Sequence, residues 1–178
     1  MTPIDLNIPI LTTPRLILRG HKLEDLDAMV AIWDDPIVRR FFHSRPNARE
    51  DIWAQLLRHF GCWAALGYGM WAIEDRHTGE YVGTGGVFDV KRGIDPALED
   101  MPEAGWTLAS RCHGNGLATE AMQAALSWTD AHLGHRVFCI TAPANVASIR
   151  VAEKCGFRHW RETIYKEDPT LIFVRESN

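Results

Sequence analysis

A glycine-rich segment in the second half of the chain, residues 111–118 (RCHGNGLA), has the composition of an anion-binding turn. It follows a strand-like run and leads directly into a strongly helical one. The first amides of a helix have no intrahelical acceptor, and the helix dipole places partial positive charge there. Gly114 and Gly116 let the backbone approach a ligand without a Cβ in the way, and Arg111 could bind a phosphate through two hydrogen bonds. The segment predicts a diphosphate site, and a plain tight turn before a helix is the alternative.

Two well-known phosphate-binding motifs do not account for this segment. No Gly-Lys-Ser/Thr follows it, so it is not a P-loop. It also lacks the GxGxxG spacing, and its strand comes late in the chain instead of opening a βαβ unit. The identity of the bound anion and the fold must therefore be inferred from the surrounding elements.

Hydrophobic periodicity predicts alternating strands and helices on both sides of the segment. Strands are expected at 15–20, 68–75, 80–90, 103–108, 136–142, 157–166 and 170–176, and helices at 23–35, 51–66, 117–132 and 146–156. Asn47 followed by Glu50 predicts a capping box at the second helix, and the GTGG run at 83–86 predicts a bulge or a close backbone approach. Residues 1–14 are expected to form an irregular leader and residues 91–102 a polar loop. This order indicates one α/β (α+β) domain over 1–178, with a mixed sheet and helices on both faces.

Composition narrows the classes of function. The 178 residues carry a net charge of −4, so no overall electrostatic case exists for a nucleic-acid or membrane partner. No apolar run approaches the roughly 18 residues of a membrane span, and the N-terminus lacks the basic start of a signal peptide. We expect a cytoplasmic protein without a metal site. Its four cysteines have no metal-ligand spacing and are expected to be free thiols: Cys62, Cys112, Cys139 and Cys155.

Four segments in order resemble the GNAT superfamily of N-acetyltransferases, in particular the ribosomal-protein N-terminal acetyltransferase type. RCHGNGLATEA matches the pattern Arg/Gln-x-x-Gly-x-Gly/Ala of that superfamily's acetyl-coenzyme A loop, and NVASIRVAEKCGF resembles its closing signature. TPRLILRGHKLEDLDAMVAIWDDPIVRRFF and GMWAIEDRHTGEYVGTGGV are similar to its opening strand and helix and its central hairpin. The resemblance covers nearly the whole chain. It implies the GNAT fold, a mostly antiparallel sheet of six to seven strands, splayed between the fourth and fifth strands (here 103–108 and 136–142).

The resemblance also implies how acetyl-coenzyme A binds. Main-chain groups of Leu108 and Ala109 would pair with the pantetheine arm, and Arg111 would lie beside the diphosphate. The diphosphate itself would be held by backbone amides, those of Cys112, His113, Gly114, Asn115, Gly116, Leu117 and Ala118. The side chains of Cys112 and His113 are expected to point away from the phosphates. A solvated surface charge is the alternative for Arg111.

The reaction implied is direct acyl transfer, with no covalent enzyme intermediate. Glu103 is the candidate base that takes the proton of the attacking amine, provided burial raises its pKa; an exposed strand-edge glutamate is its alternative. Asn145 could bind a pantetheine amide or cap a helix, and Ser148 could protonate the leaving thiolate or do no more than cap. Many superfamily members carry a tyrosine as general acid where this chain has Ala152. The acid is therefore left open between Ser148, water and no dedicated group.

The acceptor is an amine, either a protein N-terminus or a small molecule such as an amino acid, polyamine or aminoglycoside. Pocket candidates are His43, Arg45 and the acidic side chains of the 91–102 loop (Asp95, Glu99 and Asp100). Six aromatic residues are also candidates, most of them expected in the core: Trp33, Phe41, Phe42, Trp71, Phe88 and Trp106. A coenzyme-A-binding module without catalysis and a nucleotide-binding protein of another fold are the rival classes. A monomer and a homodimer are both compatible with the sequence.

Overall fold

The computed structural model describes residues 6–42 and 48–177, which build one eight-stranded sheet. The strands are β1 (Leu11–Thr12), β2 (Leu16–Arg19), β3 (Met70–Asp75), β4 (Tyr81–Phe88), β5 (Glu103–Leu108), β6 (Val137–Thr141), β7 (Arg158–Tyr165) and β8 (Asp168–Arg175). Their spatial order is β1-β2-β3-β4-β5-β6-β8-β7. Every neighbouring pair is antiparallel except β5 and β6. The predicted mixed, mostly antiparallel sheet is confirmed, with one strand more than the six or seven expected.

The described residues form five α-helices between these strands: α1 (Leu26–Asp34), α2 (Pro36–Arg39), α3 (Arg49–Leu66), α4 (Leu117–His132) and α5 (Val146–Lys154). They cover both faces of the sheet, because neighbouring β4 residues meet different helices. The Thr84 hydroxyl contacts His21, whose ring stacks on His59 of α3. On the opposite face, the place of a Cβ at Gly85 lies 3.2 Å from the Met122 sulfur of α4. No helix within 6–42 or 48–177 is long and apolar enough to cross a membrane.

The two features that the sequence left as alternatives for the GTGG run of β4 both occur, the bulge at Val82 immediately before the run and the close approach within it. The β3–β4 register shifts where Ile73 pairs with Gly83 and Glu74 pairs with Tyr81, which places a bulge there. At Gly86 a Cβ would lie 2.6 Å from the carbonyl oxygen of Gly69. Glycine is required at this position because the neighbouring backbone occupies the space of a side chain.

The sheet opens between β5 and β6. These parallel strands pair at one position, Glu103 with Phe138, and the Phe138 amide donates to the Pro102 carbonyl. Beyond that pair the strands diverge toward Leu108 and Thr141. The predicted splay is confirmed, and it leaves a V-shaped gap that is closed at Glu103 and open at the far end.

Three local features differ from the sequence predictions. The irregular leader contains β1, whose two residues are too short to show a period. Pro36 ends α1 as expected but also starts α2, because the Asp35 carboxylate caps the Ile37 amide at 2.8 Å and proline suits the first helical position. The predicted capping residue Asn47 lies outside the described residues; in the described part, Asp51 accepts from the Ala48 amide at 3.1 Å.

A stacked histidine pair is buried between β4 and α3. The rings of His21 and His59 lie 4.4 Å apart, and the two side chains are 6% and 5% exposed. The Thr84 hydroxyl donates its hydrogen to the Trp71 carbonyl at 2.9 Å and therefore accepts from His21 Nε2 at 3.1 Å. His21 Nδ1 and His59 Nε2 have no partner among the described atoms. Burial is the main cause that lowers the pKa of His21 to about 3 and that of His59 to about 2.

Candidate functional site

The turn before α4 presents unpaired amides to a groove. Residues Ser110–Cys112 form a 3-10 turn, in which the amides of Cys112 and His113 donate to the carbonyls of Ala109 and Ser110 at 2.8 and 3.0 Å. Those two amides are therefore not free for a ligand, which corrects the prediction for them. Within the described residues, the amides of 114–119 have no acceptor in the chain. They form the unpaired end of α4 and its approach, where an anion is favoured.

Glycine is needed at two positions of this turn. Gly114 and Gly116 have φ angles of 77° and 76°, in the left-handed region that other residues adopt only with strain. Gly116 immediately precedes α4, and the helix begins at Leu117 as the sequence predicted. The two glycines, singled out by their spacing, set the path of the turn.

The edge of β5 that faces the V-shaped gap supplies a second row of main-chain groups. The Ala109 amide donates to the Val82 carbonyl of the β4 strand side, and Pro102 accepts from Phe138 on the β6 side. By strand alternation the main-chain groups of Trp106 and Leu108 therefore point into the gap. The Leu108 carbonyl accepts from His113 Nε2 at 2.9 Å, so the Leu108 amide is the main-chain group of this residue that can bind a ligand in the gap. Leu108 is placed as predicted, but Ala109 is not, and Trp106 takes its place.

The start of α5 forms the opposite wall of the groove. The Asn145 side-chain oxygen caps α5 by accepting from the Ser148 amide at 3.1 Å, which is the helix-cap role given above as one alternative. The NH₂ group of Asn145 remains available to a ligand. Ser148 lines the same groove, and no described side chain or carbonyl takes its hydroxyl. Ala152 is 1% exposed and packs with Cys139 and Phe173, so that position offers neither a hydroxyl nor access.

Arg111 lies on the other side of the turn from the groove. Its guanidinium donates to the Tyr81 carbonyl at 3.3 Å and lies 3.6 Å from the Glu80 carboxylate, with 57% of the side chain exposed. The tight turn directs neighbouring side chains apart: Cys112 is buried in the core cluster at the base of the groove, and Arg111 does not line the groove. The cations that do line it were missed in the sequence: Arg40, Arg150 and Lys154. For the last two, the four-residue spacing along α5 was a detectable signal.

Glu103 lies outside this groove, in a cavity of about 210 Å³ on the sheet face covered by the 91–102 loop. It is 4% exposed, and Arg92 donates to both carboxylate oxygens, from Nη2 at 2.9 Å and from Nε. Burial raises the pKa of Glu103, against the opposing effect of Arg92. Arg92 also donates to the Tyr165 hydroxyl at 3.4 Å. The structure therefore does not group Glu103 with Asn145 and Ser148; the gap between β5 and β6 separates them.

The carboxylates around this second cavity are largely paired already. Asp95 accepts from Arg161 at 2.6 Å, and Asp89 lies 2.9 Å from the Lys91 ammonium. In both ion pairs, a cationic side chain lies at or beside the 91–102 loop, whose acidic residues were the predicted cation-binding groups. Two further carboxylates of the loop, Glu99 and Asp100, have no ion pair among the described residues, and Glu99 lines the cavity, so one cavity carboxylate remains open to a cation.

The aromatic candidates fall into three places. Trp33 and Trp71 are buried in the core. The other four line the cavity or the groove, so the expectation that most of the set lies in the core is wrong. Phe88 lines the Glu103 cavity, and three others line the groove: Phe41, Phe42 and Trp106. His43 and Arg45 lie outside the described residues. The four cysteines are buried free thiols, as predicted.

Comparison with known proteins agrees with this arrangement. The model of the acetyltransferase (GNAT) domain family matches residues 15–158. The uncharacterised Bacillus subtilis protein YkkB is 33% identical over 94% of this chain and 95% of its own length. A GNAT-family protein from Bordetella pertussis is 31% identical, with a TM-score of 0.82 over 94% of this chain and 99% of that one. An acetyltransferase from Agrobacterium tumefaciens has the same TM-score at 24% identity over 99% of both chains.

Proposed function

Because this chain belongs to the GNAT acetyltransferase family and is an acetyl-coenzyme-A-dependent N-acetyltransferase, we propose that its acceptor is the α-amine of a peptide or protein N-terminus. The row of unpaired amides at 114–119, beside the open edge of β5, carries the assignment of the cofactor groove. We assign the diphosphate to those amides and the pantetheine arm to Trp106 and Leu108. Six amide donors at a helix start suit the charge of a diphosphate.

The two cavities suggest how the reactants meet. The cofactor groove and the Glu103 cavity lie on either side of the β5–β6 gap, so the thioester and the amine would approach each other through it. The Trp106 amide points into the gap and would stabilise the oxygen of the tetrahedral intermediate, which leaves the Leu108 amide and the Trp106 carbonyl for the pantetheine arm. Glu103 would accept the proton of the amine, and the Ser148 hydroxyl would donate one to the departing thiolate.

The charges of the acceptor side favour an α-amine over a polycation. An α-amine has a pKa of about 8, so a weak base suffices near neutral pH, whereas alkylamines titrate near 10.4. Glu103, Asp95 and Asp89 are each paired with a cation, which leaves Glu99 as the carboxylate lining this cavity without an ion pair among the described residues. A polyamine or aminoglycoside, which carries several charged amines, would need more than one free carboxylate to replace its hydration.

Solved relatives leave both kinds of acceptor open. RimL, a ribosomal L7/L12 α-N-protein acetyltransferase, shares this fold with a TM-score of 0.73 at 18% identity. The aminoglycoside enzyme AAC(6')-Ib and a Vibrio cholerae spermidine N-acetyltransferase also reach 0.73, at 18% and 14% identity. A small-molecule amine is therefore the second candidate acceptor. The charge pattern around Glu103 is the observation against it.

The test has a binding step and a turnover step. Thermal unfolding should shift upward with coenzyme A and not with NAD; ligand at 100 times its Kd adds about 2.7 kcal/mol. Gly114→Val should abolish the shift because a β-branched residue is strained at a φ of 77°, whereas Arg111→Ala, on the far side of the turn, should retain it. Thiol release should then follow peptide α-amines but not spermidine or aminoglycosides. Turnover of spermidine alone would overturn the acceptor assignment.

A further inference from the structure

Arg15, at the start of the described chain, reaches the cofactor turn from about a hundred residues away. Its Nη1 donates to the Asn115 carbonyl at 2.9 Å. Its own amide and its Nε donate to the two carboxylate oxygens of Glu120, at 2.9 and 2.6 Å. One side chain thus holds both the turn and the first part of α4.

The contact with Asn115 fixes the direction of a ligand-binding amide. The carbonyl of one residue and the amide of the next lie in one planar trans peptide and point opposite ways. Holding the Asn115 carbonyl toward Arg15 therefore points the Gly116 amide away from Arg15. Gly116 lines the groove, and the place of a Cβ there would be 3.6 Å from Arg15 Nη2, so the guanidinium supports the turn from behind.

The contact with Glu120 compensates a negative charge close to the proposed diphosphate site. Glu120 is the fourth residue of α4, close to amides that would receive an anion. Burial would raise the pKa of Glu120, but hydrogen bonds from the Thr13 hydroxyl, at 2.7 Å, and from Arg15 outweigh it and lower that pKa. The carboxylate is therefore ionised and would repel a diphosphate, unless the adjacent guanidinium compensates its charge.

We propose that Arg15 is a positioning residue for the diphosphate turn: it orients the Asn115–Gly116 peptide toward the ligand and compensates the charge of Glu120. The inference rests on the proposed cofactor groove. It assigns to Arg15 a role in binding the phosphate part of the cofactor, with no contact to the reacting thioester or amine.

The test compares two acetyl donors that differ in the diphosphate. Arg15→Ala should raise the KM for acetyl-coenzyme A about tenfold and leave kcat nearly unchanged. With S-acetylpantetheine, which has no diphosphate, kcat/KM should not change. Arg15→Lys keeps the charge but loses the fork geometry, so it should be intermediate. Arg136→Ala is the matched control, because it removes an exposed arginine whose ion pair with Glu176 is far from the turn.

Arg15→Lys keeps the inference testable if Arg15→Ala is unstable, and a double variant isolates the electrostatic part of the role. Arg15→Ala combined with Glu120→Gln removes the uncompensated carboxylate and should bind coenzyme A several-fold more tightly than Arg15→Ala alone. Equal losses with both acetyl donors, or unchanged coenzyme A affinity in both variants, would overturn the role of Arg15. If the unaltered protein does not bind coenzyme A, the proposed groove itself is wrong.

Discussion

Acid should destabilise this fold steeply because His21 and His59 are buried as a neutral stacked pair. Their pKa values in the folded chain are lowered to about 3 and about 2, mainly by burial, while the unfolded chain protonates near 6.5. Below about pH 6.5 the unfolded state therefore binds protons that the folded state does not. Stability from this pair is complete above that pH and falls as the pH decreases toward the folded values.

The magnitude follows from proton linkage. Each such histidine lowers the free energy of unfolding by about 1.4 kcal/mol per pH unit once its unfolded form is protonated. Between about pH 7.5 and pH 5.0 the loss is about 2 kcal/mol for each, or about 4 kcal/mol for the pair. That is a large share of the roughly 5–15 kcal/mol that holds a domain folded.

The assay is urea unfolding of the unaltered protein and of His59→Phe over this pH range. A phenyl ring preserves the stack on His21 and removes the unpaired His59 Nε2, so stability near pH 8 should be equal or higher. The slope with pH should fall by about 1.4 kcal/mol per pH unit, the contribution of one buried histidine, since one of the two groups is gone. Other titrating groups are common to both proteins and cancel in the difference. Parallel stability curves would refute the assignment of a neutral, buried His59.

Three further predictions concern single ion pairs and hydroxyls. Glu103→Gln should remove the loss of activity at low pH. Arg92→Gln should move that loss to higher pH, because burial then raises the pKa of Glu103 without the opposing effect of Arg92. A pH profile of activity that neither variant changes would exclude Glu103 as the base. Asp130→Asn should destabilise the fold by about 3 kcal/mol, since it leaves the Arg175 guanidinium, 8% exposed, without its two-bonded partner; urea midpoints within error of each other would contradict this. Ser148→Ala should lower kcat while coenzyme A affinity, measured by calorimetry, is retained; unchanged kcat would leave the thiolate without a protein acid.

Elements with a strong local pattern could be predicted from the sequence. The bounds of α4 and the left-handed cap at Gly67 follow from apolar spacing and glycine placement. The close approach at Gly86 follows from the absent side chain, whereas the bulge has its extra residue at Val82, immediately before the glycine-rich run. In contrast β1 has two residues, which no periodicity can reveal.

The parts of the site that escaped prediction depend on contacts between distant segments. Arg92 and Glu103 are eleven residues apart, Arg15 and Glu120 are 105 apart, and no local pattern joins either pair. The use of the Cys112 and His113 amides depends on a 3-10 turn, which resembles any other glycine-rich corner in sequence. Side-chain direction at Arg111 is decided by the same turn. Sequence therefore located the groove but not the orientation of its donors.

The single pairing of β5 with β6 makes the sheet two hydrogen-bonded plates, β1–β5 and β6–β8, joined at one point in the described chain. Apolar packing spans the seam on both faces, through Val87 and Val137 beside α4 and through Leu98 and Phe138 beneath the loop. Such contacts tolerate small rotations that a ladder of hydrogen bonds would forbid. A pantetheine arm lying along Trp106 and Leu108 would act as a surrogate strand. Substrate binding would then stiffen the protein mechanically, with amide exchange slowed along the edges of β5 and β6 that face the gap.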